Sequence, residues 1–247
     1  MMLTRRDLLR GAALPLLAAG RRPNILFFFP DQLRYDWTGL NRKLPVRTPN
    51  LNRLAARGVT FSRAVVASPL CAPSRACLAS GKEYDRCGTP GNNANFPVEQ
   101  RTFYSLLRDA GYHVAGCGKF DLAKAENFQG LDGKRHLHEW GFSDGINNAG
   151  KHDAIRGAKE PRDPYMAYLH KRSLAAMHVE DFSKRHGYDA TFPTPLPEDA
   201  YCDNWLARNG LDLIRAAPQD KPWFLQVNFT GPASAHGHHT AHGPDLA

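Results

Sequence analysis

Asn24-Ile25-Leu26-Phe27-Phe28-Phe29, followed at once by Pro30-Asp31, is the stretch on which the fold turns. Ile25 to Phe29 is an unbroken apolar run, shorter than a core helix and closed by a proline. Such a run reads as a strand buried on both faces, as strands of parallel sheets are. A carboxylate just past the end of such a strand commonly faces a ligand crevice. Asp31 is therefore a candidate ligand-facing group.

Outward from this strand, Thr48-Pro49-Asn50 precedes Leu51, Leu54 and Ala55 and then Arg57-Gly58, which predicts a short helix with an N-cap and a glycine stop. Val59 to Val66 predicts a second strand. Ser68-Pro69-Leu70-Cys71-Ala72-Pro73 reads as a loop, and Ser74 to Leu78 as the first turns of the next helix. The spacing of Phe103, Leu106 and Leu107 predicts a helix over 102–110, broken by Gly111. Tyr112 to Cys117 then reads as a strand that runs into Gly118-Lys119. Residues 128–197 show little periodicity beyond a helical spacing over 165–179 and predict long loops. Trp205, Leu206, Leu211 and Ile214 mark another helix, and Trp223 to Phe229 another strand. Alternating helices and apolar strands predict an α/β fold, a mostly parallel central sheet with helices on both faces. No internal repeat interrupts the pattern.

A chain of 247 residues with 42% hydrophobic content suffices for one sizeable core. No apolar run reaches the ~18 residues of a membrane span, so stable membrane insertion is excluded. The formal net charge is +8, but the basic residues are scattered and form no block of the kind that tracks a phosphate backbone. That argues against nucleic acid and is compatible with an anionic small substrate. Residues 1–22 differ from the rest: Thr4-Arg5-Arg6-Asp7-Leu8-Leu9-Arg10, the apolar stretch 11–19, then Arg21-Arg22. The pattern is that of a signal peptide and resembles a twin-arginine leader, which implies the Tat translocon and a periplasmic or secreted bacterial protein. Five cysteines (71, 77, 87, 117 and 202) are an odd number without a CxxC pair and specify no disulfide framework.

The chemistry concentrates at Cys71-Ala72-Pro73-Ser74-Arg75-Ala76-Cys77-Leu78-Ala79-Ser80-Gly81. This string resembles the signature of the type I, formylglycine-dependent sulfatases of the alkaline phosphatase superfamily, with Ser80 where the pattern has Thr. The resemblance implies that a formylglycine-generating enzyme reads Pro73 and Arg75 on the unfolded chain and oxidises Cys71 to 3-oxoalanine. One hydroxyl of the aldehyde hydrate would attack the sulfate ester and the other would expel sulfate afterwards. Arg75 would hold the hydrate by a charge-assisted hydrogen bond.

Three more segments are similar to the family. Gly111-Tyr112…Gly118-Lys119-Phe120-Asp121-Leu122 places Lys119 as the sulfate-binding lysine and Asp121 where many members have a histidine; a carboxylate there would repel sulfate. Pro30-Asp31-Gln32 resembles the metal loop, which implies Ca²⁺ or Mg²⁺ held by Asp31, Gln32 and Cys71. Lys221 to Pro232 resembles the strand before a substrate-binding histidine; the nearest candidate is His236, in a His-rich tail (233–247) expected to lack fixed structure. No Asp-Asn/His-Gly segment follows Phe229, so a partial sulfatase domain over 23–232 is expected, C-terminally truncated. The function implied is hydrolysis of a sulfate ester on a small molecule or glycan. The alternatives are a phosphonate or phosphate ester hydrolase on the same scaffold, and a noncatalytic anion- or glycan-binding remnant.

Overall fold

The structure, a computed structural model, describes residues 22–41, 43–185 and 192–232. Strands β1 (Ile25–Phe29), β2 (His113–Lys119), β3 (Asp144–Asn148) and β4 (Trp223–Asn228) form one sheet in the order β1-β4-β2-β3. Every neighbouring pair is parallel. Phe29 and Gly118 both register against Asn228, and Lys119 against Asn148, so the four carboxyl ends lie along one edge. Gly118 is required there: its φ is +115°, and a Cβ would stand 2.0 Å from the Asn228 carbonyl oxygen.

Successive residues of a strand point to opposite faces, and both faces are covered at β2 and β4. β1, expected from its apolar run to be buried on both faces, is instead an edge strand: Ile25 and Phe27 pack on the core, while Leu26 and Phe28 are exposed. The helix expected after Thr48 is α1 (Pro49–Ala55). Val114 and Phe224 join a core with Ala76 and Cys77 of α2 (Cys71–Ser80), Tyr104 of α3 (Phe103–Asp109) and Trp140. On the other face Cys117 packs with Tyr165, Met166 and Leu169 of α4 (Pro164–Lys171), Ala175 of α5 (Ala175–Ser183) and Leu206 of α6 (Cys202–Ala216). Ala115, Leu225 and Val227 extend that side. Each large apolar side chain buried in this way contributes about 1.5–3 kcal/mol. Local signals start the helices. The Thr102 hydroxyl accepts from the Ser105 N–H at 3.0 Å and donates to the Trp140 carbonyl. Asp163 accepts from the Met166 N–H at 2.7 Å, with Pro164 in the first turn.

Three expectations change. Residues 59–66 form no strand: Val59, Phe61, Val65 and Val66 are exposed and pair with none of the sheet's strands, and β-branched composition without a face to pack against does not suffice. The helix expected over 165–179 is two helices, separated where Ser173 takes a φ of +58°. β3 emerges from the stretch that predicts loop; its two asparagines are buried, Asn147 donating to Gln129 and Asn148 accepting from the Gly150 N–H. Among the described residues no helix is long and apolar enough to cross a membrane. Residues 1–21 of the expected leader, and His236 with its tail, lie outside the described residues.

Candidate active site

The site assembles at the carboxyl edge of the sheet. After β1 and β4 the two chains stay paired, Phe229 N donating to Phe29 O and Asp31 N to Gly231 O, which fixes Asp31 beyond the strand end. Cys71 is not on a loop before a helix but is the first residue of α2, and Arg75, four residues on, shares its face. The Ala72 N–H, in the first turn, donates to Asn92 Oδ1 at 3.0 Å. Lys119 closes β2.

Lys119 is the hub. Its Nζ lies 2.7 Å from Asp31 Oδ2, 3.3 Å from Asp121 Oδ2 and 3.5 Å from Cys71 Sγ. Arg75 donates to the Lys119 carbonyl, stands 3.4 Å from Asp31 Oδ1 and 4.0 Å from Asp121 Oδ2, and lays its guanidinium over the Phe29 ring at 5.0 Å. Behind Asp121, Lys124 bridges to it at 3.3 Å and to Asp153 at 2.5 Å. Three carboxylates thus face three cations, and Asp31, Arg75, Lys119 and Asp121 are each less than a tenth exposed.

The charges hold one another in place. Burial disfavours a charged Lys119, but Asp121 and Asp31 outweigh it and raise its pKa. Burial likewise works against an ionised Asp121, yet Lys119, Lys124 and Arg75 bring it below the usual carboxylate range. Lys124 is raised despite burial by Asp121 and Asp153. Burial pushes the Cys71 thiol up, Lys119 partly offsets this, and Asp121 and Asp31 add to it. An unmodified Cys71 is therefore a neutral thiol at neutral pH and a poor nucleophile.

The sulfatase family model matches residues 23–241. The chain belongs to the sulfatase family. An arylsulfatase of Clostridium perfringens is 28% identical over 217 residues, which is 86% of this chain and 44% of that protein. The solved structure of i-CgsB with neocarrahexaose superposes with a TM-score of 0.59 at 23% identity, over 87% of this chain and 46% of the other. The phosphonate monoester hydrolase of Agrobacterium radiobacter superposes with a TM-score of 0.62 at 24% identity, over 85% and 41%. These structures share the open α/β sheet. The chain spans less than half the length of each of these proteins.

Of the residues singled out in this sulfatase sequence, Asp31, Cys71, Arg75 and Lys119 come together, and Gln32 stands next to Asp31, exposed and with a φ of +57°. A Ca²⁺ site asks for about six to eight oxygen ligands. Among the described residues no three His, Cys, Asp or Glu side chains are grouped to hold a metal ion, and Asp31 is engaged by the Lys119 ammonium. The described residues alone do not fit a divalent cation. Lys124 and Asp153 escaped the sequence reading. Lys124 lies three residues after Asp121, a spacing that signals a local ion pair, whereas Asp153 comes from a segment without periodicity.

Proposed function

We propose that this sulfatase domain hydrolyses sulfate esters at Cys71 after conversion of that residue to formylglycine. The observation that carries the reading is the convergence of Lys119 and Arg75 with Cys71 at the carboxyl edge of a parallel sheet, in a sulfatase family chain. The aldehyde hydrate supplies the nucleophilic hydroxyl that the protonated thiol does not. Lys119 is the compact cation placed to bind a sulfate oxygen, and its resting partners Asp31 and Asp121 keep it charged. Arg75, clamped by the Lys119 carbonyl and the Phe29 ring, holds the hydrate. Asp121 does not simply repel the anion, because Lys124 balances it. The substrate is a sulfated small molecule or glycan, a class suggested by the neocarrahexaose bound to the related i-CgsB structure. The twin arginines imply Tat export and a periplasmic or secreted protein, and the Cys71 signature implies a formylglycine-generating enzyme as partner. Ca²⁺ or Mg²⁺ at Asp31, Gln32 and Cys71 would need further donors.

The test is the mass of the tryptic peptide Ala64–Arg75 from protein made with a formylglycine-generating enzyme, followed by a panel of sulfate and phosphonate esters with matched leaving groups. An aldehyde at Cys71 and faster turnover of sulfates are expected. Faster turnover of phosphonates would select the phosphonate hydrolase reading. A persistent thiol, while a control substrate is modified in the same cells, would overturn the proposal.

A further inference from the structure

Four cysteines are left unused by the proposed chemistry, and they are not equivalent. Cys77 lies in the second half of α2, and Cys87 directly follows the short turn of helix Tyr84–Arg86. Both are buried in the same apolar cluster, among Ala76, Phe96 and Leu122. Both are free thiols in the structure. The helix that carries Cys77 packs on the Tyr84–Arg86 turn, and Cys87 Sγ, beside that turn, is held near the Tyr84 carbonyl at 3.3 Å. Cys117 and Cys202 lie on the other side of the sheet, where the Cys117 thiol points to the Leu206 carbonyl and the Cys202 sulfur accepts from Asn148. Cys71 and Cys77 stand six residues apart on one helix, about 9 Å along its axis and on different faces. That exceeds the ~7 Å Cα separation a disulfide spans.

We infer that Cys77 and Cys87 are a disulfide-forming pair that covalently ties the end of the Cys71–Arg75 helix to the Tyr84–Arg86 turn when the chain folds under oxidising conditions. The bond forms by thiol–disulfide exchange with a small-molecule or protein disulfide. One thiolate attacks the donor's disulfide and releases one donor thiol. The second thiolate then displaces the other donor sulfur, so the protein loses two protons and two electrons and both donor sulfurs leave as thiols. Burial and the neighbouring Cys87 push the Cys77 thiol up to about 11, so in the folded, reduced protein exchange is slow and the bond forms as the helix docks.

The test refolds the purified full chain in a buffer of reduced and oxidised glutathione, quenches with acid, alkylates under denaturing conditions without reductant and digests with trypsin. The expected product is Ala76–Lys82 joined to Cys87–Arg101, two hydrogens lighter than their sum and separated by reductant. In Cys77→Ser the joined peptide disappears and Cys87 becomes alkylated. Alkylation of both cysteines in the parent chain, or Cys71 joined to either of them, overturns the inference. The same digest reports Cys71 separately on Ala64–Arg75, so a failed disulfide and a failed nucleophile assignment are distinguishable.

Discussion

Asp121, at the carboxyl edge of the sheet, has Lys119, Lys124 and Arg75 within 4.0 Å, whereas Asp163, which starts the Pro164 helix on the opposite face, is held by the Met166 and Ala149 backbone N–H groups. Both carboxylates are almost wholly buried, yet they move in opposite directions. Burial raises each. At Asp121 the cations outweigh it and the pKa falls, while at Asp163 two N–H groups do not, and it is pushed up to about 6. Burial alone therefore says little about a carboxylate; the charges brought to it decide. The sheet edge is built to keep charge ionised beside Cys71, whereas on the opposite face Asp163 starts a helix and ties the Ala149 backbone to it without any cation.

Removing the hub should break this contrast most severely. Lys119→Met leaves Asp31 and Asp121 buried with Arg75 and Lys124 as the remaining cations, and a broken buried ion pair costs about 3–5 kcal/mol. Urea unfolding should show that loss, and the formylglycine form should lose sulfate ester turnover. A midpoint close to that of the parent chain would mean that Arg75, Lys124 or water satisfies both carboxylates, and the contrast with Asp163 would then rest on something other than the cations.

Acid separates the two regions by sign. Asp163 has a folded pKa of about 6, against about 3.9 unfolded, so its protonated form is favoured by folding. Its contribution to stability is present below about pH 4 and is lost as the pH rises through 6, about 3 kcal/mol in all. Asn at 163 carries no charge and keeps an oxygen for the Met166 N–H, while its amide nitrogen faces the Ala149 N–H, a loss that does not vary with pH and offsets the two curves by a constant. The difference between Asp163→Asn and the parent chain should therefore shift in favour of Asn between pH 4 and 7 by up to that amount, read from urea midpoints across the range. Asp121, whose pKa is lowered, stabilises above the unfolded value and stops doing so as the pH falls. A stability difference between Asp163→Asn and the parent that does not change with pH would show that Asp163 is ionised in both states.

The same contrast explains what was legible in the sequence. The apolar run Ile25 to Phe29 marks β1 and puts Asp31 past its end, although Leu26 and Phe28 are exposed at the sheet's edge. The separate strand pattern of Tyr112 to Cys117 puts Lys119 at the end of β2. Cys71 and Arg75 were marked by a contiguous signature. β3 was not legible, because Asp144–Asn148 buries asparagines whose partners, Gln129 and Gly150, are known only once the chain is folded. Val59 to Val66 has strand composition, but no neighbouring strand pairs with it. Asp121 departs from the family pattern, and in sequence alone its carboxylate implies repulsion of sulfate. Its meaning depends on Lys124 and, through it, on Asp153, 29 residues further along the chain. Charge compensation between distant segments leaves no periodicity to read.

The smallest effect belongs to a pair that looks stronger on paper. Arg34 reaches Asp36 through two hydrogen bonds, at 3.0 and 2.5 Å, shorter than most contacts around Asp121, and the Arg34 hydrogen bond lowers the Asp36 pKa. Both side chains lie in solvent, 52% and 36% exposed, where water screens the attraction and ordering two side chains costs entropy. Arg34→Ala should leave the urea midpoint unchanged within error at low and at high salt. A salt-dependent drop would instead show that the 34–37 segment bears on Asp31, three residues away, and the boundary drawn here between surface charge and the site would have to move outward.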